Sequence, residues 1–78
     1  MDFNEYCQVV SEITHVTKEV LKEEAIFRDD LGIDSLQMVN FLVELSEKTG
    51  VSIDVFTYTD DIKTIGGVYR TLVKALQK

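Results

Sequence analysis

Residues 34–37 spell the start of a helix. Asp34 has the short acceptor side chain favoured just ahead of a helix, and Gln37, three residues on, reaches back to the backbone N–H of Asp34, as in a capping box. The apolar residues that follow recur at helical spacing to about Lys48, and Gly50 supplies the stop. The spacing predicts a helix over 35–48. Leu36, Val39, Leu42 and Val43 form its inward face, Ser46 lies at the edge, and Met38, Phe41 and Leu45 widen the apolar arc. With Asp34 as the cap, Ser35 falls at the first helical position. Its hydroxyl then points outward beside unpaired N–H groups and the positive end of the helix dipole, a favourable place for a phosphate. Gly32 permits a sharp turn ahead of the cap, and Leu31, Ile33 and Leu36 are apolar in register to pin that turn to a core. The plainest account of these residues is an ordinary loop-to-helix junction.

Two further helices flank this one. Asp2 and Glu5 form another capping-box pattern. It opens a first helix over about 3–19, with Phe3, Tyr6, Val10, Ile13, Val20 and Leu21 inward and Cys7, Val9 and Val16 at the margins. The β-branched Thr14, Val16 and Thr17 weaken its second half. A long connector runs from Leu21 to Asp34, polar at Lys22-Glu23-Glu24 and anchored by Ala25, Ile26 and Phe27. Thr64 caps a last helix over about 65–77, with Ile65, Val68, Tyr69, Leu72, Val73 and Leu76 inward and Lys74 and Lys78 near the C-terminal dipole end. Gly66 and Gly67 are poor helix formers, which either permit close packing against another segment or simply fray the helix start. Residues 51–59 alternate like a strand, yet no partner strand exists, and a lone strand is not stable. An extended connector with a short helical turn within 56–61 is expected there. No repeats or linkers stand out. The 78 residues make one domain, 1–78, with 45% hydrophobic residues, enough for a single core. A chain of this size buries about 60–65% of its unfolded surface.

Little here supports catalysis. Cys7 is the only cysteine, which excludes an internal disulfide and fits a cytoplasmic setting. It lies on the buried side of its helix, and His15 lies off the apolar stripe, so no nucleophile–base pair is visible and no catalytic residue is assigned. Asp29, Asp30 and Asp34 do not form an EF-hand loop, since Leu31 stands before Gly32 and no closing glutamate follows, so no metal ligand is assigned. Acids outnumber bases 14 to 8, a net charge of −6. That balance argues against nucleic acid and suits partners with basic docking surfaces. No run of about 18 apolar residues is present, and Met1-Asp2-Phe3-Asn4-Glu5 lacks the build of a signal peptide. A monomer is expected.

Asp30-Leu31-Gly32-Ile33-Asp34-Ser35-Leu36 resembles the attachment motif of acyl carrier proteins, small helical proteins that carry 4′-phosphopantetheine on the serine of Asp-Ser-Leu. Thr64-Ile65-Gly66 is similar to the Thr-Val-Gly that opens the family's last helix. The resemblance implies an all-α fold, a small right-handed bundle of three main helices plus one short helix, with a long first loop. It implies that Ser35 receives the arm from coenzyme A through a phosphopantetheinyl transferase, with Asp30, Leu31, Gly32, Asp34 and Leu36 supporting the motif. Such a protein is not an enzyme. It holds acyl groups as thioesters for acyl-loading and acyl-processing enzymes. These dock on the second helix and the loop before it, here Gln37, Met38, Asn40, Phe41, Glu44 and Glu47. Three departures point away from housekeeping fatty-acid synthesis: Asn40 stands where fatty-acid carriers commonly have glutamate, Ile53-Asp54 replaces Ile-Pro, and the second helix has few acids. They favour a dedicated carrier in a polyketide, nonribosomal-peptide or fatty-acyl-derived pathway. Ile33, where peptidyl carriers show a second glycine, leans toward the acyl or polyketide side. A chain that runs from Met1 to Lys78 without a linker reads as free-standing. The competing reading is a small acidic helical adaptor that binds a partner through Met38 and Phe41 without a prosthetic group.

Overall fold

The computed structural model describes residues 1–77, so Lys78 and its expected place at the dipole end lie outside the described residues. The chain is all-helical: α1 (Phe3–Thr14), α2 (Ser35–Thr49), a single-turn α3 (Asp54–Thr57) and α4 (Ile65–Leu76), with a 3-10 turn at Lys18–Val20. Among the described residues there is no strand, only an isolated antiparallel bridge between Ile26 and Thr64. One core joins Tyr6, Cys7 and Val10 of α1, Phe41, Leu42 and Leu45 of α2, Phe56 of α3, and Ile65, Val68 and Leu72 of α4.

The caps form as local chemistry dictates. Asp2 and Glu5 close one reciprocal box, Asp34 and Gln37 another, and the Thr64 hydroxyl accepts the Gly67 N–H at 3.0 Å. Helix α1, however, ends at Thr14 and not at 19. His15 turns left-handed (φ 62°) and donates its N–H to the Ser11 carbonyl. Val20, expected inward, is left exposed on the 3-10 turn. Helix α2 ends in the same way at Gly50 (φ 75°), whose N–H meets the Ser46 carbonyl. In both, a threonine hydroxyl bonds back to the carbonyl four residues earlier (Thr14 to Val10, Thr49 to Leu45) and accepts the N–H of the valine two residues on. Ser11-Glu12-Ile13-Thr14-His15-Val16 and Ser46-Glu47-Lys48-Thr49-Gly50-Val51 are therefore one helix-ending motif used twice, a short repeat that a scan at domain scale passes over.

Histidine at the left-handed position carries a backbone cost that glycine avoids. His15→Gly is expected to stabilise the fold by about 0.5–1 kcal/mol. A urea unfolding series checks this, and an unchanged or lowered midpoint would mean that the imidazole itself holds the turn.

The short helix occupies 54–57, ahead of the expected 56–61, because Phe56 is the residue that reaches the core. On α4, Ile65, Val68 and Leu72 are buried, Tyr69 and Val73 are half-buried, and Leu76 is exposed rather than inward. Gly66 and Gly67 are buried where the chain passes over α4: the Gly66 N–H bonds the Glu23 carbonyl, and Asp61 lies against Gly67. Ala25 and Phe27 anchor the long connector as expected, while Ile26 stays at the surface.

The fully buried Tyr6 stacks with Phe3 and Tyr69, and its hydroxyl donates to the Ile65 carbonyl at 2.9 Å. Burial pushes the Tyr6 hydroxyl and the Cys7 thiol above their ordinary values. Both groups therefore bind protons more tightly folded than unfolded. Their contribution to stability is full below the ordinary values of 9.0 for cysteine and 10.0 for tyrosine and is lost as pH rises past them. Thermal midpoints are expected to fall above pH about 9, and Tyr6→Phe should flatten the later part of that fall. A midpoint that stays level to pH 11 would contradict this burial.

Candidate functional site

The loop before α2 is held by its own side chains. The Asp30 carboxylate accepts the Ile26 N–H at 2.7 Å, and the N–H groups of Asp30 and Leu31 both return to the Ile26 carbonyl. After the turn at Gly32 (φ 70°), the Ile33 N–H bonds the Phe27 carbonyl and the Ile33 side chain is buried. Asp34 then stands extended (φ −81°, ψ −179°) and accepts the Gln37 N–H at 2.8 Å, while Gln37 Oε1 accepts the Asp34 N–H at 3.1 Å. Because Asp34 does the capping, Ser35 is the first residue of α2, is exposed, and has no hydrogen bond from its hydroxyl among the described residues.

Beside Ser35 runs an open groove of ≈ 1070 Å³ between the loop, α2 and the stretch around α3. Phe27, Ile33, Met38, Leu42, Phe56 and Ile62 give it an apolar lining. The free hydroxyl, the positive helix end behind it and the groove next to it fit a phosphate-linked arm attached at this oxygen.

Helix α2 is rotated from the expected face. Its sequence carries two apolar stripes at helical spacing, Leu36-Val39-Val43 and Met38-Phe41-Leu42-Leu45. The core takes the second, because Phe41 meets Phe27 (ring centroids 5.2 Å apart) and Leu45 fills the centre. Leu36, Val39 and Val43 are left 72%, 56% and 39% exposed, so Leu36 does not pin the turn to the core. Phe41, expected in the docking patch, is only 2% exposed and cannot be touched by a partner. Met38 is half-buried in the groove wall. Gln37, Asn40, Glu44 and Glu47 are exposed, and no charged residue occurs from 35 to 43. The exposed stripe beside Ser35 is what sequence reasoning missed. Its signal was present as the second spacing pattern, but only tertiary packing chooses between the two.

Cys7 is buried, with its thiol on the Leu21 carbonyl at 3.5 Å, and the exposed His15 lies beyond the end of α1. Among the described residues no group of three His, Cys, Asp or Glu is placed to hold a metal ion. No helix among them is long and apolar enough to cross a membrane.

Comparison with known proteins agrees with this geometry. Residues 7–72 match the family model described as the phosphopantetheine attachment site. An acyl carrier protein of Wolinella succinogenes is 38% identical over 68 residues, covering 87% of this chain and 88% of that protein. One from Thermotoga maritima is 31% identical over 74 residues, covering 95% and 90%. A meromycolate extension acyl carrier protein of Mycobacterium leprae is 39% identical over 46 residues, covering 59% and 40%.

Proposed function

Since this chain belongs to the acyl carrier protein family, a family of carriers and not of catalysts, we propose that Ser35 is its attachment residue and that it serves a dedicated biosynthetic pathway. The observation that carries the assignment is the division of labour at the start of α2: Asp34 caps, which leaves the Ser35 hydroxyl outward and unbonded among the described residues. When attached, 4′-phosphopantetheine supplies a terminal thiol on which acyl, aminoacyl or aryl groups are held as thioesters. The protein's own residues do the rest. Asp34 and Gln37 fix the angle at which Ser35 leaves the helix. Ile33 and Phe27 hold the loop against the core, and the groove offers apolar surface next to the tether point. A tether delivers its cargo to successive active sites at high local concentration.

Partner docking falls on α2. Leu36, Val39 and Val43 give the apolar contact, and Asp29, Asp30 and Asp34 on one side with Glu44 and Glu47 on the other give acidic flanks. Partners with basic groups around an apolar centre suit this surface, beginning with the transferase that installs the arm. The specialised pathway is supported by Asn40, by Asp54 following Ile53, and by the charge-free run 35–43. The free, buried thiol of Cys7 suits a cytoplasmic monomer.

The test is an intact mass before and after incubation with coenzyme A and a broad-specificity phosphopantetheinyl transferase. A gain of one phosphopantetheine is expected. A folded protein that gains nothing from an active transferase would return the adaptor reading to the front.

A further inference from the structure

Phe27 is a junction between parts of the chain that are far apart in sequence. Its N–H bonds the Lys63 carbonyl at 3.1 Å, and its carbonyl accepts the Ile33 N–H at 2.9 Å. The first bond brings Lys63 beside the connector next to Arg28. The second returns the chain so that Ser35 follows Ile33 by two residues, at most about 7 Å of backbone. Arg28, Lys63 and Ser35 therefore line one groove. Arg28 and Lys63 are its only cations among the described residues, both are exposed, and neither is in an ion pair among those residues. Arg28 is also the one cation between Lys22 and Lys48. Three carboxylates share the lining. Asp34 is committed to the Gln37 N–H, and Asp29 and Asp60 pair with neither cation.

From this juxtaposition we propose that Arg28 and Lys63 hold the phosphodiester that joins the arm to Ser35. The proposal rests on Ser35 being the attachment residue. The phosphodiester places a full negative charge beside Asp34, on a chain already at −6. The helix end supplies only about half a positive charge there, and one of its N–H groups, that of Gln37, is already taken by Asp34. Two unpaired cations on the same groove supply the rest. A guanidinium meets two phosphate oxygens in a fork, and an ammonium adds a point charge that needs no fixed angle. Both are positioning residues. They turn the root of the arm over the groove and away from the exposed Leu36, which lies outside it, so that the arm leaves Ser35 in one direction.

The experiment attaches the arm with coenzyme A and a broad-specificity transferase, confirms it by intact mass, and records the phosphorus NMR line of the loaded protein at low ionic strength. In the folded parent the resonance is expected to lie away from that of the same loaded protein unfolded in urea, and the Arg28 Nε–H resonance should shift on loading. Arg28→Gln combined with Lys63→Gln should return the phosphorus resonance toward the unfolded position and narrow its line about twofold, as the root of the arm gains motion. Arg28→Lys should keep about half of the parent displacement, because the charge remains without the fork. Salt at about 0.5 M should bring the parent toward the double variant. Lys74→Gln, on α4 and outside the groove, should leave the line where it is. Circular dichroism of all the variants should match the parent, since the replaced side chains are exposed. A loaded, folded parent whose line coincides with the unfolded position, or is unmoved by the double variant and by salt, overturns the phosphodiester contact alone. A parent that takes no arm overturns the Ser35 assignment and the contact with it.

Discussion

Ser35→Ala is expected to abolish arm attachment completely while leaving the thermal midpoint within about 2 °C of the parent. Loss of modification follows from chemistry: without the hydroxyl oxygen there is no acceptor for the phosphodiester. Preservation of the fold follows from geometry. The Ser35 side chain is exposed and its hydroxyl is in no hydrogen bond among the described residues, so nothing native is removed. Alanine is also the stronger helix former, which offsets any small loss. Asp34→Ala is the contrasting variant. It deletes the acceptor of the Gln37 N–H and should cost about 1 kcal/mol. Intact mass and circular dichroism on both variants check the pair. Label on Ser35→Ala would place the arm on another residue, and an unfolded Ser35→Ala would mean that the hydroxyl, and not Asp34, secures the start of α2.

Gly67→Ala is expected to destabilise the protein by about 3 kcal/mol, a fall in thermal midpoint of more than about 10 °C. A Cβ at Gly67 would run into the backbone carbonyl oxygen and the carboxylate of Asp61. A backbone oxygen cannot rotate away as a side chain can, so either the 58–64 segment or the first turn of α4 must move. Moving that turn also strains the bond from the Gly67 N–H to the Thr64 hydroxyl and the Asp61–Arg70 ion pair across the same segment. A domain of this size has about 4–12 kcal/mol in total, so the loss is a large share. At Gly66 the added Cβ meets the Glu23 carbonyl at 2.9 Å, and Gly66→Ala should cost less because a smaller shift relieves it. Thermal melts of both variants decide the matter, and a Gly67→Ala midpoint within 3 °C of the parent would show that the segment yields freely.

What the sequence made legible was local. Asp2 with Glu5, Asp34 with Gln37, Thr64, and Gly50 each act on backbone groups within a few residues, so pattern alone located the helix starts and one helix end. The end of α1 was hidden because histidine fills the place where glycine usually announces a stop. The inward face of α2 was ambiguous for a different reason. Leu36-Val39-Val43 and Met38-Phe41-Leu42-Leu45 are equally helical in spacing, and the contact of Phe41 with Phe27, far off in sequence order, selects the second. In the same way, the short helix sits where Phe56 meets the core, which no local propensity specifies. The motif around Ser35 was readable because its bonds close within the stretch from Ile26 to Gln37. The surface that surrounds Ser35 was not, because it is whatever the core declines.

The bridge between Ile26 and Thr64 lies within a seam. The Phe27 N–H bonds the Lys63 carbonyl, the Ile65 N–H the Ala25 carbonyl, and the Gly66 N–H the Glu23 carbonyl. The connector ahead of Ser35 is thereby stitched to the start of α4, and the two form one hydrogen-bonded wall of the groove. The opposite wall rests on α3, one turn long and without a side-chain cap, anchored by Phe56. Both walls are therefore referred to α4, one through the backbone seam and the other through Phe56 in the core, and the chain enters Ser35 directly from the stitched side, where the Ile33 N–H bonds the Phe27 carbonyl.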